Sequence, residues 1–96
     1  MGEWFNFDPQ SYADWPNAAG IYVLYDISDR PIYVGQGQQI SVRLRDHRDK
    51  FWFRRPIVQN AAYLGIDNKQ LREQIEKILI KFLKSNAVLN QQNVDR

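Results

Sequence analysis

The stretch Gly20-Ile21-Tyr22-Val23-Leu24-Tyr25-Asp26-Ile27-Ser28-Asp29-Arg30-Pro31-Ile32-Tyr33-Val34-Gly35 decides the fold. It contains two runs rich in β-branched and aromatic residues, which suit a pleated, half-buried surface. Ser28-Asp29 closes the first run. Pro31 opens the second at a strand position where a missing N–H is tolerated. The reading is an antiparallel hairpin. With Ser28-Asp29 as a two-residue loop, Leu24 falls opposite Tyr33 and Tyr22 opposite Gly35, so Tyr22 and Tyr33 share one face. A slip of one residue would separate them.

Beyond the hairpin, Gly35-Gln36-Gly37 breaks the strand, and residues 41–48 read as a helix with Ile40 and Leu44 packed inward. Arg43 and His47 are spaced i,i+4 and are expected on one helix flank. Two short apolar runs follow, Phe51-Trp52-Phe53 and residues 61–66, and the second is the better third strand. Asp67, with Gln70 three residues on, resembles a capping box and predicts a helix over residues 68–84. Its Leu71, Ile75, Ile78 and Phe82 fall on one face, widened by Leu79 and Leu83, and are expected to face the core. Glu76 lies on the border of that face, whereas Glu73 points away. Residues 87–89 are expected to return to the core and bring Asn90 to the same surface. The first nineteen residues hold Trp4, Phe5, Phe7, Tyr12 and Trp15 among prolines, too irregular for a long helix, and are expected to pack their aromatics on the body. The fold class is α/β in the α+β sense, a small three-stranded antiparallel sheet flanked by helices.

Ninety-six residues suffice for one core, and no repeat or linker divides them, so residues 1–96 are read as a single domain. The chain has no cysteine, which excludes disulfides and thiolate metal sites. No apolar run approaches the roughly 18 residues a membrane span needs, and the N-terminus lacks the regions of a signal peptide. A cytoplasmic protein without membrane contact is expected. The net charge of +2 hides a local bias. Arg43, Arg45, Arg48, Lys50, Arg54 and Arg55, against Asp46 and Asp49, give one short segment +4 and leave −2 for the remainder. Aromatic residues lie among those cations, a mixture that suits a nucleic-acid partner.

Together the motifs resemble the GIY-YIG nuclease family, which includes homing endonucleases, some restriction enzymes and an excision-repair endonuclease domain. The two naming tripeptides are Gly20-Ile21-Tyr22 and Tyr33-Val34-Gly35, the second with valine for isoleucine. Arg43 matches the family's helix arginine, His47 the His or Tyr one turn later, Glu76 the metal-binding glutamate and Asn90 the closing asparagine. The resemblance covers residues 17–90. Gln36 stands where members often carry lysine, and the segment from Glu76 to Asn90 is about two residues longer than usual.

The resemblance implies a metal-dependent endonuclease that hydrolyses DNA phosphodiesters. Tyr22, Tyr33, Arg43, His47 and Glu76 would be catalytic, with Glu76 holding Mg²⁺ or Mn²⁺, because magnesium takes few protein carboxylates and keeps several waters. Tyr22 is favoured as general base, and His47 is its rival because an imidazole titrates near neutral pH. Gln36, Arg45, Arg48, Lys50, Arg54 and Arg55 are the expected nucleic-acid contacts. Gly20, Gly35 and Asn90 would shape the site. The alternative is a nucleic-acid-binding module with little chemistry of its own, relying on a partner protein or second subunit. A protein-binding module using exposed Trp4, Trp52 and Phe53 is the third.

Overall fold

A computed structural model describes residues 3–5, 15–54 and 57–83. Its elements, in chain order, are β1 (Glu3–Phe5), β2 (Gly20–Tyr25), β3 (Pro31–Gly37), α1 (Ile40–Arg45), β4 (Asn60–Gly65) and α2 (Lys69–Phe82). The strands form one antiparallel sheet in the order β1-β4-β2-β3. The three expected strands are its body, and the short β1 extends it beyond β4.

The hairpin has the expected pairing, reached by a different route. Leu24 pairs with Tyr33 and Tyr22 with Gly35. The loop, however, is longer than two residues. The Asp26 amide donates to the Arg30 carbonyl at 3.0 Å, and Asp29 takes the left-handed conformation at φ 62°. Those two features mark a three-residue loop that ends in a left-handed residue. Such a loop alone would shift the register by one, but Tyr25 pairs with Pro31, and the irregularity between Leu24 and Tyr25 restores it. Asp26 holds the loop, because its Oδ1 accepts from the amides of Ser28 and Arg30 and its Oδ2 from Nε of Arg30.

One face of the sheet carries Tyr22, Leu24, Tyr33 and Ala61, and these form the main core with Trp15, Ile40, Leu44, Trp52, Phe53 and Val58. α1 and the turns after it therefore lie on this face. The other face carries Ile21 and Val34, both buried, and α2 packs across β3 and β2. Since β3 has no partner on its outer side among the described residues, the two faces meet at its edge.

Three expectations are corrected. α1 ends at Arg45 rather than near Arg48, and a succession of turns follows. α2 is capped by Asn68, not Asp67, through a 2.8 Å bond from the Leu71 amide to the Asn68 side chain. The third concerns the inward face of α2. Arg72 and Glu76 are its buried residues, whereas Leu71, Ile78 and Phe82 are exposed, Phe82 by 80%. Apolar periodicity alone misjudges the rotation of this helix, because three hydrogen bonds from Arg72, described below, hold it with a polar face inward.

Trp15 is buried against Phe53, with ring centroids 5.8 Å apart, as expected for an aromatic N-terminal segment. The other aromatic side chains of that segment, Arg55, residues 87–89 and Asn90 lie outside the described residues. Trp52 and Phe53 are buried, so neither offers the exposed ring that a protein-binding reading requires.

Candidate active site

Tyr22 sits in mid-strand on β2 and Tyr33 beside it on β3, their rings nearly parallel at 17° with centroids 6.2 Å apart. Gly35 makes this possible. A side chain there would overlap the Tyr22 ring and hydroxyl. Gly20 plays a comparable part, since a Cβ would run into the Leu64 carbonyl of β4. Neither glycine has a positive φ, so they serve close approach rather than turn geometry.

His47 reaches the same place from the first turn beyond α1. Its amide bonds the Leu44 carbonyl at 3.0 Å, an i to i+3 contact that tightens the chain and swings the imidazole under the sheet. His47 is 5% exposed while Arg43, one turn earlier, is half-buried. Nε2 of His47 lies 2.8 Å from the Tyr22 hydroxyl. The imidazole is walled by Tyr33 at 4.8 Å and by Trp52 at 5.3 Å, and Trp52 also stacks on Tyr33 at 5.1 Å. Trp52 is a part of the site that sequence reasoning assigned elsewhere. No periodicity marks a residue in a run of turns.

Arg43 passes over Gly37, where a Cβ would meet its Cγ. Burial alone would lower its pKa, but attraction to Tyr22 and Tyr33, and then to Asp46, outweighs that and raises it. The Asp46 contact is loose, 3.4 Å between a half-buried guanidinium and an open carboxylate, and contributes little. An open groove lined by Gly37, Gln38, Gln39, Val42 and Arg43 runs alongside.

Glu76 is buried on the side of α2 that faces the sheet. Arg72, one turn earlier on that side, donates from Nε to Oε1 of Gln36 at 3.0 Å. Gln36 and Tyr33 leave β3 on opposite faces, being three residues apart. The structure thus gathers Tyr22, Tyr33, Arg43 and His47 on one face and sets Glu76 on the helix covering the other. The Gln36 carbonyl is already engaged by Arg72. Of the expected nucleic-acid contacts, Arg45 at the end of α1 and Arg48, Lys50 and Arg54 on the turns that follow are exposed.

Among the described residues no helix is long and apolar enough to cross a membrane. The chain matches no protein-family model and no curated protein. Its structure does match solved ones. The GIY-YIG N-terminal endonuclease domain of UvrC from Thermotoga maritima, as a Tyr-to-Phe variant bound to its catalytic divalent cation, superposes with a TM-score of 0.60 at 23% identity, over 73% of this chain and 81% of that one. A second Tyr-to-Phe variant matches at 0.60 and 22% identity, and an Asn-to-Ala variant at 0.61 and 23%, with the same coverage. The chain has the fold of a GIY-YIG endonuclease domain.

Proposed function

We propose that this chain is an endonuclease domain that hydrolyses DNA phosphodiester bonds with one divalent cation, Mg²⁺ or Mn²⁺. The observation that carries this reading is the buried Tyr22–His47 hydrogen bond with the Arg43 cation close to both phenols. Hydrolysis needs a water relieved of its proton, stabilisation of charge at phosphorus, and help for the departing oxygen. Tyr22 and His47 meet the first need jointly. The phenol oxygen takes the proton from water while the hydroxyl proton passes to Nε2 of His47. A phenol alone, with an ordinary pKa near 10, is a poor base at neutral pH. With an imidazole as acceptor the pair works near neutrality, so the choice between base and rival dissolves into one relay. The attraction between Arg43 and the phenols is mutual and favours the phenolate that forms in passing.

Arg43 meets the second need. Its planar fork suits two phosphate oxygens and the charge that grows on them in the transition state. Tyr33, stacked between Tyr22 and Trp52, orients the water or phosphate.

Glu76 is the residue that would hold the cation. Among the described residues no group of three or more His, Asp or Glu could cage a metal. A lone carboxylate fits a hydrated, oxygen-loving ion that completes its shell with water and substrate. When bound, such an ion supplies Lewis acidity to the phosphate and the leaving oxygen. The solved neighbours, which hold a catalytic divalent cation, support this choice. The cations of residues 43–54 would neutralise flanking phosphates, which makes binding depend on salt.

A specific observation favours a second reading. Tyr22 is 0% and Tyr33 2% exposed, so in this conformation neither of these two phenols reaches bulk water. A DNA-binding module that becomes active only with a partner protein or second subunit would look like this. Incubation with supercoiled plasmid and Mg²⁺ or Mn²⁺ separates the two. The nuclease nicks the plasmid, and Arg43→Ala and Glu76→Ala each lower the rate by about 100-fold or more. Equal cleavage by both variants would refute the site, and salt-sensitive binding without cleavage would favour the second reading.

A further inference from the structure

Arg72 is the least expected buried group in the molecule. It is 4% exposed, and its hydrogen bonds end on three neutral oxygens: Oε1 of Gln36 at 3.0 Å, the Ile66 carbonyl at 3.2 Å and the Asp67 carbonyl at 2.7 Å. Burying a guanidinium is costly, and an apolar residue would fill the same space without that cost. The helix offers apolar residues for the purpose, yet Leu71, Ile78 and Phe82 face outward.

What Arg72 gains is geometry. Its three bonds tie together the end of β3, the connection from β4 to α2, and the first turns of α2 itself. Gln36, flanked by Gly35 and Gly37, is the one side chain at this end of β3 that can accept such a bond. Those bonds oppose rotation of α2 about its axis and sliding along it. Glu76 follows Arg72 by one turn on the same side, so whatever fixes Arg72 also fixes the carboxylate.

We propose that Arg72 is a positioning residue for the metal-binding carboxylate: its clamp on Gln36, Ile66 and Asp67 sets the rotation of α2 that turns Glu76 inward toward the sheet. The proposal rests on the reading of Glu76 as the metal ligand. Arg72 is too buried to touch a phosphate, so it acts only through the helix. Partners that orient a metal ligand commonly matter to metal affinity by one or two orders of magnitude when removed.

The test is titration of the whole chain with Mn²⁺ alone, followed by electron paramagnetic resonance, with circular dichroism melts on the same samples. Glu76→Gln serves as reference and should abolish the binding seen in the unmodified chain. Arg72→Ala should weaken Mn²⁺ binding by about 10- to 100-fold, and Arg72→Lys, which keeps the charge but not the fork, should recover only part of it. Gln36→Leu removes one acceptor from a half-buried position and leaves the guanidinium in place. It should weaken binding in the same direction, with an effect that is not additive with that of Arg72→Ala.

Mn²⁺ affinity unchanged or tightened in folded Arg72→Ala, Arg72→Lys and Gln36→Leu would overturn the proposal. Were Arg72→Ala unfolded, the Arg72→Lys and Gln36→Leu chains decide alone. Undiminished binding in Glu76→Gln would remove the ligand assignment, and this inference with it, whereas loss in Glu76→Gln with none in the other three would refute the positioning role only.

Discussion

The Tyr22 hydroxyl and Nε2 of His47 stand 2.8 Å apart at a point that solvent does not reach. Each satisfies the other, and a buried polar atom deprived of its partner costs about 1–3 kcal/mol. Tyr22→Phe keeps the ring stacked on Tyr33 and removes the hydroxyl that Nε2 of His47 meets, so urea melts should show a loss in that range. Replacing both residues by phenylalanine removes donor and acceptor together. The double variant should then be less destabilised than the sum of the two single ones. Simple additivity would show that the hydrogen bond does not couple the two residues in solution.

Gly35 and Gly65 offer a matched pair, because both are strand glycines without a positive φ. A methyl at Gly35 collides with the Tyr22 ring, while at Gly65 the nearest atom is the Ala19 carbonyl oxygen at 3.9 Å. Gly35→Ala should cost about 1–3 kcal/mol through overpacking and reduce cleavage by displacing the phenol. Gly65→Ala should be neutral or stabilising by up to about 1 kcal/mol, since the unfolded chain loses freedom. Thermal melts of both variants check the contrast. Equal destabilisation would mean that strand glycines matter here for reasons other than space.

The hairpin and its phenol pair were legible because strand alternation is a strict two-residue rhythm. The chain even tolerated a misjudged loop, since the extra loop residue and the bulge near Tyr25 cancel. Arg43 and His47 were legible as neighbours but not as partners of different burial. The tightening after Leu44 depends on a single backbone bond that leaves no trace in composition. Trp52 could not be placed, because residues between α1 and β4 follow turns with no period. The rotation of α2 was misread for a different reason. Apolar periodicity assumes that the buried face is the oily one, and here the hydrogen bonds of Arg72 override that preference. The one available clue was that Arg72 and Glu76 are themselves spaced i,i+4.

That rotation makes a measurable difference. Were Ile78 and Phe82 core residues, truncating either to alanine would cost about 2–5 kcal/mol. At 63% and 80% exposure they should cost about 0.5 kcal/mol or less. Asn68→Ala, by contrast, removes the cap that accepts from the Leu71 amide and should cost about 1 kcal/mol. Urea unfolding of the three variants orders them. A large loss at Phe82 would place the apolar stripe inside and refute the clamp by Arg72.

The hairpin loop should make stability depend on acidity through Asp26. Backbone bonding from the Arg30 amide lowers its pKa first, opposed by a smaller effect of burial, with further lowering from the Ser28 amide and the Arg30 side chain. A carboxyl depressed in the folded state stabilises the protein above the ordinary carboxylate range, and that contribution fades as pH falls through the folded value. Asp26→Asn keeps an oxygen for the two amides but has no charge to lose. The Tm gap between the unmodified chain and Asp26→Asn should therefore be full at neutral pH, hold to about pH 5, and close as the pH drops below about 4. A gap that stays constant down to the most acidic buffer would show that the loop is held by the geometry of the oxygen rather than by its charge.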